Sequence, residues 1–163
     1  MAVNNLLITG AAGFIGSNFI ELLCSIKEKI CNRIIVLDAL TYCGKIENLV
    51  FTNHFGNYIF IYGNICDRVL LDRMFNEYKI DGVINFAAET HVDRSISTPE
   101  IFAKTNVCGT VALLDSAVKY KVKRFLQVST DEVYGSLSKD DPAATEESLL
   151  KPRSPYSASK AAA

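Results

Sequence analysis

The chain has 163 residues, 49% hydrophobic and 21% charged, with no Trp. That composition specifies one folded domain and excludes an intrinsically disordered segment. Its 17 basic and 18 acidic residues leave a net charge of −1, which excludes long-range electrostatic capture by nucleic acid or an anionic membrane; an anionic ligand needs a local site.

The first apolar run, "LLITG" at residues 6–10, reads as a strand, and "TGAAGFIG" follows it directly. Gly10 permits a tight turn, Gly13 lets the backbone approach a diphosphate, and Gly16 lets helix and strand pack closely. The free N–H groups at the start of the next helix then make an anion site that needs no Lys or Arg. That helix shows Phe19, Leu23, Ile26 and Ile30 at helical spacing. The second strand, "RIIVLD" (33–38), ends on Asp38, 22 residues after Gly16. A carboxylate there accepts hydrogen bonds from ribose hydroxyls and repels a 2′-phosphate, so NAD is expected rather than NADP.

"YIFIYGNI" (58–65) reads as a third strand and is followed by a helix carrying Leu71, Met74, Phe75 and Tyr78. "DGVINFAA" (81–88) is a fourth strand, and a long helix runs from Pro99 to Tyr120, with Pro99 at its N-terminus. "RFLQVST" (124–130) is the fifth. Short strands apolar on both faces, alternating with helices, specify an α/β doubly wound parallel sheet, the NAD-binding Rossmann fold. Ligands in such sheets bind beyond the carboxyl ends of the strands. The polar stretch 135–155 reads as a surface loop or lid.

No basic n-region precedes the first apolar run, and no stretch reaches the roughly 18 apolar residues of a membrane span. Five cysteines without C-x-x-C spacing or clustered His indicate neither disulfides nor a metal site. A cytoplasmic protein is expected.

With "STDEVYG" (129–135) and "YSASK" (156–160) added to "TGAAGFIGSNF", "LDALTYCG", "FAAETHVDRSI" and "TNVCGT", the chain resembles the extended short-chain dehydrogenase/reductase family, and within it the dTDP-glucose 4,6-dehydratases. The resemblance implies that Phe14 and Ile15 lie beside the NAD diphosphate and that Asp38, Ala39, Leu40 and Thr41 hold the adenosine ribose. It places Asn64 and Ile65 at the adenine, and Phe86, Ala87, Ala88 and Thr105 along the cofactor. At the adenine this chain has "GNI" where the family has "GDI"; the Asn64 carbonyl still accepts a hydrogen bond, as an uncharged acceptor. Thr90 matches a substrate position, whereas His91, Asp93 and Arg94 read equally as substrate contacts or as packed structural residues.

Tyr156 and Lys160 stand four apart, on one face of a helix, where the cation favours the phenolate. By resemblance Tyr156 removes a hydroxyl proton, Lys160 also holds the nicotinamide ribose, and Thr130 shares a hydrogen bond with the same sugar oxygen. Dehydration needs a base and an acid with separated pKa values; the resemblance assigns Glu132 as base at C5 and Asp131 as acid at the C6 oxygen. The implied reaction is dehydration of dTDP-glucose to dTDP-4-keto-6-deoxyglucose, with NAD regenerated in each turnover. UDP-glucose 4,6-dehydratase, nucleotide-sugar 4-epimerase and a noncatalytic NAD-binding module stay open beside it. Residues 1–163 are expected to be an incomplete Rossmann domain that precedes a C-terminal substrate domain, inactive by itself and homodimeric when extended.

Overall fold

The structure, a computed structural model, describes residues 3–26, 30–54 and 57–163. Five strands form one parallel sheet: β1 (Asn5–Thr9), β2 (Arg33–Asp38), β3 (Tyr58–Tyr62), β4 (Gly82–Asn85) and β5 (Arg124–Gln127), in the order β3-β2-β1-β4-β5. Register is set across the centre, with Leu7 of β1 opposite Ile35 of β2 on one side and Val83 of β4 on the other. The order reverses between β1 and β4, which makes their carboxyl ends the ligand position of a doubly wound sheet.

All five expected strands form, and all but β2 stop short of the expected boundary. Expected residues 58–65, 81–88 and 124–130 become four- or five-residue strands, because their distal ends turn away to build loops. The expectation of two apolar faces holds at the centre. β1 and β2 are almost wholly buried, whereas β5 alternates between exposed and half-buried as an edge strand does.

The chain divides into two compact units, residues 1–87 with 109–128 and residues 88–108 with 129–163. The first contains the sheet with helices α1 (Phe14–Ser25), α2 (Arg68–Tyr78) and α5 (Thr110–Lys119). Successive strand residues face opposite sides. Leu7, Ile35 and Leu37 pack with Leu71, Met74 and Phe75 of α2 and Leu113 and Ala117 of α5. Ile8, Ile34 and Val36 pack on the other side with Ile20 and Leu23 of α1. Full burial of each Leu, Ile, Val, Met or Phe among them stabilises by about 1.5–3 kcal/mol. Ile26 ends α1 as its C-cap, and both Ile26 and Ile30 are exposed, so the apolar period read across them does not belong to the core.

The second unit contains α3 (Val92–Ser97), α4 (Pro99–Phe102), a 3₁₀ turn (Asp131–Tyr134) and α6 (Pro155–Ala161). The helix expected over 99–120 is α-helical only at its two ends, α4 and α5; Ala103–Gly109 is π-helical. Pro99–Lys119 is long and apolar enough to cross a membrane by length and composition alone, and 44% of its most apolar window is buried within the chain. Ala112, Leu113 and Ala117 account for the apolar character of its second half as members of the sheet core.

Candidate active site

In the first unit the β1–α1 turn is shaped by contacts that exclude side chains. Gly10 has φ +65°, and a Cβ there would lie 2.5 Å from Ala87 N; a Cβ on Gly16 would lie 2.5 Å from Gly10 O. No side chain caps α1 at Gly13, so its first-turn N–H groups lack intrahelical partners. Phe14 and Ile15, 80% and 61% exposed, flank those amides. The arrangement fits a diphosphate held by backbone at a helix N-terminus.

Asp38 is buried, its Oδ2 accepting from Ala12 N and its Oδ1 from Leu40 N, each at 2.8 Å. One carboxylate thus ties the glycine turn to the loop after β2, and each oxygen retains a lone pair for a further donor. Leu40 takes a left-handed conformation, with φ +47°. Asn64 is exposed, and its Oδ1 accepts from Cys66 N at 2.8 Å, closing a local turn with the same carbonyl expected to face adenine. Ile65 is buried. Phe86 packs against Phe19, with ring centroids 5.3 Å apart. A cavity of about 400 Å³ lies against α1 beside Cys43, Lys45 and Asn48; of the expected cofactor residues it includes Phe14.

The second unit holds the residues expected to be catalytic. Thr130 lies beyond β5 as the N-cap of the 3₁₀ turn rather than as the strand's last residue. Its Oγ1 accepts from Glu132 N and donates to Asp131 Oδ1, both at 3.3 Å. This orients two adjacent acids differently, Asp131 exposed and Glu132 half-buried. Gly135, at φ +85°, ends the turn where a Cβ would lie 2.3 Å from Lys151 O, and Lys151 N donates to Val133 O.

Helix α6 begins with a reciprocal capping box. Ser154 Oγ accepts from Ser157 N, Ser157 Oγ accepts from Ser154 N, and Pro155 occupies the first turn. The cap orders a seven-residue helix that would be marginal alone. It also packs on α3, α4 and the 3₁₀ turn. Tyr156 and Lys160 are both buried, at 8% and 7% exposure, and the Phe102 ring stands edge-on to Tyr156. Burial pushes the Lys160 amine below the ordinary lysine value. In the same unit Ala88 and Thr105 are half-buried and Thr90 is exposed.

Of the residues read two ways, His91 and Arg94 make contacts within their own unit. His91 Nδ1 accepts from Arg94 N to cap α3, and Arg94 Nη1 lies 3.7 Å from Glu89 Oε2. The sequence reading assigned no role to Glu89, Asn106 or Ser159. Asn106 Oδ1 accepts from Glu89 N, and its Nδ2 donates to Glu89 O and to Ser159 Oγ, which in turn donates to Tyr156 O. This buried network ties α6 to the segment after Ala88. Polar residues inside an apolar-period helix were its only sequence signal.

The sequence profile of the family described as GDP-mannose 4,6 dehydratase matches residues 7–163. A curated dTDP-glucose 4,6-dehydratase of Xanthomonas campestris is 47% identical over 165 residues, covering 96% of this chain and 46% of that protein. The crystal structure of the dTDP-glucose 4,6-dehydratase DesIV of Streptomyces venezuelae, with NAD and TYD bound, aligns with TM-score 0.87 at 45% identity, over 97% of this chain and 48% of that one. A UDP-glucose 4-epimerase of Thermotoga maritima with UDP-glucose aligns with TM-score 0.83 at 35% identity, over 96% and 48%. The chain spans about half the length of the curated relatives it matches.

Proposed function

Because the chain belongs to the GDP-mannose 4,6 dehydratase family, we propose that it carries the cofactor-binding and proton-transferring residues of an NAD-dependent nucleotide-sugar 4,6-dehydratase acting on dTDP-glucose. The observation that carries this reading is the second unit's pairing of two kinds of acid–base group on packed elements. Tyr156 and Lys160 are buried on α6, and Asp131 and Glu132 stand on the turn that α6 packs against. A 4-epimerase has no use for the second pair.

NAD would be held by the amides beside Gly13, Phe14, Ile15 and Gly16, by Asp38 with Ala39 to Thr41, by Asn64 and Ile65, and by Phe86, Ala87, Ala88 and Thr105. When bound it supplies reversible hydride transfer, oxidising C4 of the sugar and reducing C6. Tyr156, as phenolate, takes the C4 hydroxyl proton. The Lys160 amine on the same helix face favours that phenolate when protonated. Thr130 hydrogen-bonds the same oxygen. The C5 proton, acidic beside a C4 ketone, goes to Glu132, while Asp131 protonates the departing C6 oxygen, so that one water leaves, and C5 regains a proton as C6 is reduced. Thr90 contacts the substrate.

A partner copy fits α5, where Val111, Leu114 and Val118 recur along one exposed stripe. Five cysteines outside any disulfide among the described residues fit a cytoplasmic location.

The test joins residues 1–163 to the part of the Xanthomonas relative that they do not match, and incubates the product with NAD and dTDP-glucose. Loss of about 18 Da from the sugar nucleotide supports dehydration. Conversion to an isomer of unchanged mass would mean an epimerase, and NAD binding without turnover a noncatalytic module.

A further inference from the structure

The carboxyl ends of three neighbouring strands carry polar side chains, Thr9, Asn85 and the half-buried Gln127, that no step of the proposed reaction uses. Thr9 and Asn85 are 0% exposed in the sheet, and Thr110 at the start of α5 is 1% exposed. Polar groups at such depth are costly unless bonded. These are bonded, and the bonds run in one direction. Gln127 Nε2 donates to Val128 O at 3.4 Å, which leaves Gln127 Oε1 as an acceptor toward Asn85 Nδ2 at 2.7 Å. The same Asn85 amide also reaches Thr110 Oγ1 at 3.4 Å.

An amide that presents its nitrogen to β5 must present its oxygen to β1, and Asn85 Oδ1 receives the Thr9 hydroxyl hydrogen. The Thr9 oxygen is then left with lone pairs only, and it accepts from Ala87 N at 3.4 Å. Reversing Gln127 would set two acceptors or two donors face to face somewhere along the line. The polarity therefore originates at β5 and ends on the Phe86–Ala87 segment, which also packs on the Gly10 turn.

We infer that Gln127 is a positioning residue for the Phe86–Ala87 cofactor segment, acting through Asn85 and Thr9. Its consequence for ligand binding rests on the NAD reading above; its consequence for the segment does not. Among the described residues the Gln127 side chain is hydrogen-bonded to Asn85 and Val128, neither of them assigned to the cofactor.

The experiment uses the full chain with two variants, Gln127→Leu and Gln127→Glu. Amide hydrogen exchange at Ala87 is followed by NMR, and affinities for NAD and for AMP are measured by calorimetry. Gln127→Leu is expected to speed Ala87 exchange and weaken NAD by roughly tenfold each, the equivalent of one lost hydrogen bond. AMP, which engages the Asp38 side, should be unaffected. Gln127→Glu keeps the acceptor toward Asn85 and, when its carboxyl is protonated, the donor toward Val128 O, so at a pH that protonates it both values should return to within about threefold of the parent. The inference is overturned if Ala87 exchange is unchanged in Gln127→Leu, if NAD and AMP weaken together, or if Gln127→Glu at that pH behaves like Gln127→Leu. Should the parent chain bind no NAD while Ala87 exchange responds as expected, the cofactor reading fails and the positioning role stands.

Discussion

The two units prepare for ligand by opposite means. In the first, recognition is assigned to backbone: the turn at Gly10 and Gly16 leaves no room for a Cβ, α1 starts uncapped, and Asp38 spends one lone pair of each oxygen on the protein's own amides. In the second, the assigned work falls to side chains, Tyr156, Lys160, Asp131 and Glu132, held by serine caps and by the Asn106 network. A backbone site is sensitive to added atoms, a side-chain site to removed ones. Substitutions at the first unit's turn should therefore act on folding and affinity together, and those at Tyr156, Asp131 and Glu132 in the second on turnover with affinity spared.

The largest expected effects fall in the second unit, read in the joined protein described above. Tyr156→Phe should lower turnover roughly 10³-fold with NAD affinity unchanged by calorimetry, and Glu132→Gln should lower it by about 10²–10⁴-fold. Comparable losses of NAD affinity would break the division. Gly10→Ala comes next. Its Cβ would meet Ala87 N at 2.5 Å in a left-handed conformation, and a cost of about 3 kcal/mol in urea unfolding is expected, together with loss of NAD binding.

Lys160→Met probes the burial of a cation. The folded amine holds its proton less readily than the unfolded one because it is buried. Protonation therefore favours unfolding. The penalty is fully present below the lowered folded pKa and disappears as pH rises through the ordinary lysine value of about 10.4. Lys160→Met should thus raise the melting temperature at neutral pH, with a gain that shrinks toward pH 10, while turnover is lost. The smallest effect belongs to Asn64→Asp. It keeps the acceptor for Cys66 N and should tighten NAD about two- to threefold by adding charge.

The same contrast explains which features are legible in the sequence. Strand periodicity and the Gly10, Gly13, Gly16 spacing are local signals, and the sheet and its turn follow from them. Ile26 and Ile30 kept the helical period beyond the point where α1 ends, so period alone overextended the core. The π-helical stretch Ala103–Gly109 was not legible, because it differs from an α-helix only in which carbonyl each amide selects. Glu89, Asn106 and Ser159, and likewise Thr9, Asn85 and Gln127, are joined by bonds between residues 17 to 76 apart. Such pairings have no signature in sequence spacing, and each member reads in isolation as an ordinary polar residue. Thr130 was placed at a strand end and is a helix cap instead, a change of a few residues that reassigns its hydroxyl to Glu132 N.

The most direct test of the proposed chemistry is mass spectrometry of dTDP-glucose turned over in D₂O by the joined protein. If Glu132 removes the C5 proton and water leaves from C6, the product loses about 18 Da relative to substrate in H₂O and gains about 1 Da more in D₂O, from one solvent deuteron at C5. A product of unchanged mass that carries no deuterium would contradict the account.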